Sequence, residues 1–154
     1  MPELWTLGLN IAHAMNSQPL SEFSLIPGEY GWSGLFPDSH RFFGQQIGLE
    51  IHTRLTPREP KVLPPVSANQ AGLVRKIAAE LPTLIPRLEQ EFTTYNQKFD
   101  PDFQGFITHP HVWLSDKSED GASWAFVVER TDNPDFGYHA EFRNVEFIEL
   151  WAGD

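Results

Sequence analysis

The chain has 154 residues, with 21 Asp and Glu against 11 Lys and Arg, 13 Pro, 11 Gly and no Cys, and a formal net charge of -10 at pH 7. Hydrophobic residues at 40% and aromatics at 13% supply a core and exclude wholesale disorder. Missing cysteine excludes disulfides and thiolate catalysis, the acidity argues against nucleic acid, and neither a membrane-length apolar run nor a signal-peptide head is present, so a cytoplasmic location and no membrane contact are expected.

In chain order, residues 4–15 mix alternating and helical spacing and favour neither. Phe23, Leu25 and Ile26 precede the turn residues Pro27 and Gly28, and Trp32, Leu35 and Phe36 precede Pro37 and Asp38. Gly and Pro clusters between short apolar runs predict strands in a meander. In residues 45–55, Ile47, Leu49, Ile51, Thr53 and Leu55 alternate with polar or small neighbours, which predicts a strand with one buried face. The prolines of residues 57–65 cannot extend that ladder.

Beyond them the period changes. Ser67 followed by Gln70 has capping-box spacing, and Ala71, Val74, Ile77, Ala78 and Leu81 form a stripe at helical period. Leu84, Ile85, Leu88, Phe92 and Tyr95 continue the stripe after Pro82 and Pro86, which predicts either two helices, with a proline in the first turn of the second, or one Pro-kinked helix. The last third returns to strands: a short one at residues 112–114, then 124–130 with Trp124, Phe126 and Val128 on one face. Residues 138–142 follow, with Tyr138, Ala140 and Phe142 alternating, and a reversal at Arg143 and Asn144 leads into residues 145–151. Strands, helices and strands in that order predict a single α+β domain over residues 1–154, a mainly antiparallel sheet with the helical segment packed on one face.

The chain lacks a G-x-S-x-G elbow, a Walker A loop, a G-x-G-x-x-G after a strand and an H-E-x-x-H. The glycines at 28, 31, 34, 44 and 48 are read as turns and a bulge rather than a phosphate cradle. His109-Pro110-His111 puts two imidazoles on one side of an extended segment, a geometry that could hold a metal, with Asp116, Asp120, His40, His52 and His139 as further donors. The competing explanation is surface imidazoles around a turn-forming proline, so no cofactor is expected and an adventitious divalent metal is allowed for. Glu141, Glu146 and Glu149 could pair across strands for acid and base chemistry, yet outward carboxylates on an amphipathic hairpin have the same pattern.

Charge is unevenly placed. Residues 1–99 hold nine acids and eight bases, whereas residues 100–154 hold twelve acids and three bases. Within that acidic third, Phe136 and Tyr138 lie beside Asp132 and Asp135, and Trp151 beside Asp154. Aromatic anchors among carboxylates suit a basic protein surface. The layout, closing with Trp124-Ala125-Phe126-Val127-Val128-Glu129 and residues 146–154, resembles small acidic bacterial domains of unknown function grouped with polymorphic-toxin immunity proteins. That resemblance implies a stoichiometric inhibitor of a toxin. The expected function is therefore a non-enzymatic binding domain for a basic partner, with Asp132, Asp135, Phe136, Tyr138, Glu141, Glu146, Glu149 and Trp151 at the interface, acting as monomer or homodimer. The alternative is a small metal-dependent or small-molecule enzyme centred on His109 and His111.

Overall fold

The computed structural model describes residues 20–53, 63–102, 107–115, 123–132 and 135–153; residues 4–15, Leu55, the prolines at 57 and 60, Asp116 and Asp120 lie outside them. Within the described residues, a 3-10 turn (Ser21–Phe23) precedes β1 (Ile26–Pro27), β2 (Gly31–Leu35), β3 (Arg41–Phe42), β4 (Gln45–Gln46) and β5 (Gly48–His52). Helix α1 (Ala68–Phe99) comes next. Strands β6 (Ile107–Leu114), β7 (Ser123–Arg130), β8 (Gly137–Arg143) and β9 (Glu146–Gly153) complete the order.

The helix begins where the sequence says it should. Gln70 N–H donates to Ser67 Oγ at 3.1 Å and Ser67 N–H donates to Gln70 Oε1 at 3.1 Å, a closed capping box. Gln70 Nε2 also donates to the His52 carbonyl at 3.0 Å, which ties the helix start to the end of β5. Most of its predicted stripe is buried: Ala71, Val74, Ile77, Leu81, Leu84, Ile85, Leu88 and Phe92 lie in the core, and Ala78 and Tyr95 pack against it partly buried. Each of the larger aliphatic or aromatic side chains contributes roughly 1.5–3 kcal/mol by leaving water.

Pro82 and Pro86 do not divide the segment. Both lie inside one continuous helix of 32 residues, so of the two predicted alternatives the single helix is the one present. The reason is positional: the two prolines are four apart and exposed, on the face away from the core. The carbonyls that lose their donors, those of Ala78 and Pro82, belong to a helix whose apolar stripe is unbroken, and packing outweighs the local penalty.

Seven strands form one sheet in the order β1-β2-β5-β6-β7-β8-β9, and β3 and β4 form a separate two-stranded ribbon. Every neighbouring pair is antiparallel except β5 and β6, which run parallel and are joined through α1. The architecture is α+β with one central helix, as the sequence predicts in class. Register fixes what each face carries. Leu49, Val112, Phe126, Ala140 and Leu150 form one cross-strand row toward the helix. Phe92 of the helix lies over that face, with ring centroids 6.5 Å from Phe126 and 5.6 Å from Tyr138. On the opposite face run Gly48, His111, Val127, His139 and Trp151, and beside them Glu50, Trp113, Ala125, Glu141 and Glu149.

Two irregularities serve these rows. Strand β6 is longer than the predicted residues 112–114 because Pro110 sits in a bulge: His109 and Pro110 fall between the paired residues Thr108 and His111, where no ladder donor is required. In β9, a register shift between Phe147 and Glu149 leaves Ile148 outside the ladder, so Phe147, Leu150 and Ala152 all pack against the core despite their uneven spacing. The reversal predicted at Arg143 and Asn144 is a two-residue connection, Asn144 and Val145, with Asn144 in the left-handed region at φ 53°.

Candidate functional site

The chemistry-bearing residues converge on the sheet face away from the helix. His109 adopts φ 53°, a left-handed conformation rare for a residue bearing a side chain and disfavoured before proline. Strain of this kind costs on the order of 1–3 kcal/mol and persists only where surroundings enforce it. Here the bulge enforces it, and the outcome is a pair of imidazoles with ring centroids 4.6 Å apart. The extended geometry expected from the sequence is thus replaced by a bent one, while the two rings still come together. The same bend lets the His109 carbonyl approach His111 Nδ1 at 2.9 Å, which assigns the proton to Nδ1 and leaves Nε2 as an acceptor.

Glu50 completes the group. Its β5 backbone runs parallel to β6, and its carboxylate lies 3.5 Å from His109 Nε2 and 3.7 Å from His111 Nε2. One donor atom from each of Glu50, His109 and His111 lies within 4.8 Å of the others. Gly48, the cross-strand partner of His111, keeps the space open: a Cβ there would stand 3.3 Å from the His111 Cβ. A cleft of about 410 Å³ results, lined by the triad together with Ser33, Gln46 and Gly48. Burial pushes the His111 imidazole below its ordinary value of 6.5, opposed by the hydrogen bond to His109 and the charge of Glu50. His109 is half exposed and His111 almost fully covered.

Of the other donors named from sequence, His52 lies on this face edge-on to Trp113, with centroids 5.5 Å apart. His139 stacks on Trp151 at 4.1 Å and 7° between planes, and burial lowers its pKa, opposed by Glu141 and reinforced by His111. His40 lies in the connection before β3, outside the triad.

The eight residues assigned to a partner surface fall into two places. Around the end of α1, Arg130 bonds Asp132 through Nε at 2.8 Å and Nη2 at 2.6 Å, and Asp100 through Nη1 at 2.7 Å. These carboxylates, Asp132 first, hold the guanidinium still further above its ordinary value. Tyr138 is buried, donates to Asn96 Oδ1 at 2.7 Å, and packs edge-on to Phe136, whose ring lies under Arg130. Burial raises the Tyr138 pKa, partly offset by Arg130. Tyr138 through Asn96 and Arg130 through Asp100 therefore fasten β8 and β7 to the helix end, Asp132 and Phe136 hold Arg130 in place, and Asp135 is exposed beside them. The remaining four lie on the last hairpin. Glu141 and Glu149 are direct cross-strand partners on the open face, Trp151 Nε1 donates to Glu141 Oε1 at 3.1 Å, and Glu146 is exposed opposite Arg143.

Glu50 is the functional candidate that sequence reasoning missed. Its signal, a carboxylate on the polar face of the clearest strand, was present, but the pairing of β5 with β6 across an intervening helix of 32 residues is not a local property. No family model matches the chain, and no curated protein or solved structure matches it either.

Proposed function

We propose that this protein is a binding domain that engages a basic partner protein through the outer face of its C-terminal hairpin, in the manner of an immunity protein. One observation carries the reading: on the open face of β8 and β9, Glu141 and Glu149 stand directly opposite each other beside a Trp151 that is 37% exposed. Like charges paired across strands are unfavourable in isolation and become favourable when a cationic group bridges them. Trp151 is held against His139 and Glu141, so its ring is ordered before contact and loses little entropy on binding. Ile148, 57% exposed at the bulge, extends the apolar part of the surface.

The excess of acids after residue 99 adds a steering field that accelerates encounter with a basic protein and weakens as salt rises. Glu146 and Glu149 also protect β9, which closes one end of the sheet, against edge-to-edge pairing. The test is capture at low salt from the source lysate with the native chain and with a Glu141→Lys, Glu149→Lys double variant. A basic protein retained in stoichiometric amount by the native chain, lost with the double variant and released by about 0.5 M salt, supports the reading. Retention that is indifferent to charge reversal, or no stoichiometric partner at low salt, overturns it.

A further inference from the structure

We propose that Glu50, His109 and His111 form a binding site for one divalent transition metal ion of the zinc class, with the fourth coordination position open to the cleft. Because His111 Nδ1–H donates to the His109 carbonyl, the Nε2 lone pair is the one presented to Glu50. A ring nitrogen whose other N–H is fixed by a backbone carbonyl is the usual arrangement of a metal-binding histidine, since it sets both tautomer and orientation. Two imidazole nitrogens and a carboxylate thus lie within 4.8 Å of one another, a donor set that a cation satisfies.

The dimensions fit. For metal-ligand bonds of about 2.0–2.1 Å, tetrahedral donors stand roughly 3.4 Å apart. The Glu50 oxygens lie 3.5 Å from His109 Nε2 and 3.7 Å from His111 Nε2. The first distance is to Oε1 and the second to Oε2, and one donor from each residue lies within 4.8 Å of the others, so small side-chain adjustments of the partly exposed Glu50 and His109 bring the three to bonding distance. Imidazole and carboxylate donors select zinc and its neighbours over calcium or magnesium, which prefer oxygen alone. Three protein ligands leave room for a water, and the cleft provides it. Two features of the fold otherwise lack a purpose: the strained backbone at His109, and the glycine opposite His111 that holds the cleft open.

This site stands apart from the Glu141, Glu149 and Trp151 surface, and the two proposals succeed or fail separately. Zinc chloride is titrated calorimetrically into the native chain at neutral pH, and into Glu50→Gln, His109→Ala and His40→Ala variants. Glu50 and His109 are partly exposed, and circular dichroism confirms that these variants keep the fold. One ion per chain is expected, with affinity reduced at least about 100-fold by E50Q or H109A and unchanged by H40A. Absence of binding tighter than millimolar overturns the site. Binding that E50Q and H109A leave intact also overturns it, since the ion is then held by surface histidines elsewhere.

Discussion

Replacing Pro82 by Ala separates the continuous helix from the two-helix alternative. In a helix interior proline is about 3 kcal/mol less favourable than alanine, because its missing amide leaves the carbonyl four residues back without a donor and its ring presses on that carbonyl. Here the carbonyl is that of Ala78, and Pro82 is exposed with no core contact to lose. Water can solvate an outward carbonyl, so the expected gain for Pro82→Ala is about 1–3 kcal/mol. At an unfolding entropy of roughly 0.3 kcal/mol/K for a chain of this length, that raises Tm by about 3–10 °C. Thermal unfolding followed by circular dichroism at 222 nm measures it, and Pro86→Ala should behave similarly. At the first turn of a separate helix, proline is favourable and its replacement neutral or harmful. An unchanged or lowered Tm in both variants would refute the continuous helix.

Other outcomes follow from the same geometry. Arg130→Met removes the hydrogen bonds to Asp100 and Asp132 but leaves carboxylates that are 41% and 47% exposed and can rehydrate, so urea unfolding should show a loss of about 1–2 kcal/mol. A loss indistinguishable from that of Asp132→Asn alone would show that the Asp100 contact contributes nothing. Asn144 sits at φ 53°, where a β-branched residue is strained. Asn144→Val should therefore cost about 1–2 kcal/mol while Asn144→Gly stays within a few tenths, and equal effects would discount the turn geometry. Burial depresses the His139 pKa, so folding favours its neutral form. Its contribution is complete above the unfolded value of 6.5 and is lost as pH falls from there through the folded value. His139→Gln should flatten the decline in stability between about pH 7.5 and about pH 5.5, and an unaltered slope would remove His139 as a source.

What the sequence made legible was whatever depends on near neighbours. The alternation at Ile47, Leu49 and Ile51, the stripe from Ala71 to Phe92 and the Ser67 cap each follow from a period or a spacing within a few residues, and each is present. The α+β class followed from the order of those segments. Long-range pairing was illegible: nothing local says that Glu50 borders His111, or that Tyr138 turns inward to Asn96 while Glu141, three residues on, turns outward. Proline left the helix count open and hid the length of β6, for one reason. Pro82 and Pro110 break rules written for regular backbone, and both sit where the missing donor is tolerated, one on a solvent-facing helix surface and one in a bulge.

The parallel junction between β5 and β6 has an entropic meaning. On its C-terminal side, β6 to β9 pair in chain order through short connections, contacts of low sequence separation; on its other side, β5 meets β6 only across the stretch of chain that includes α1, a pairing with a larger loop-closure cost. Glu50 lies on one side of that seam and both histidines on the other. An ion held there would act as a clasp across the pairing that closes the longest loop between neighbouring strands of the sheet.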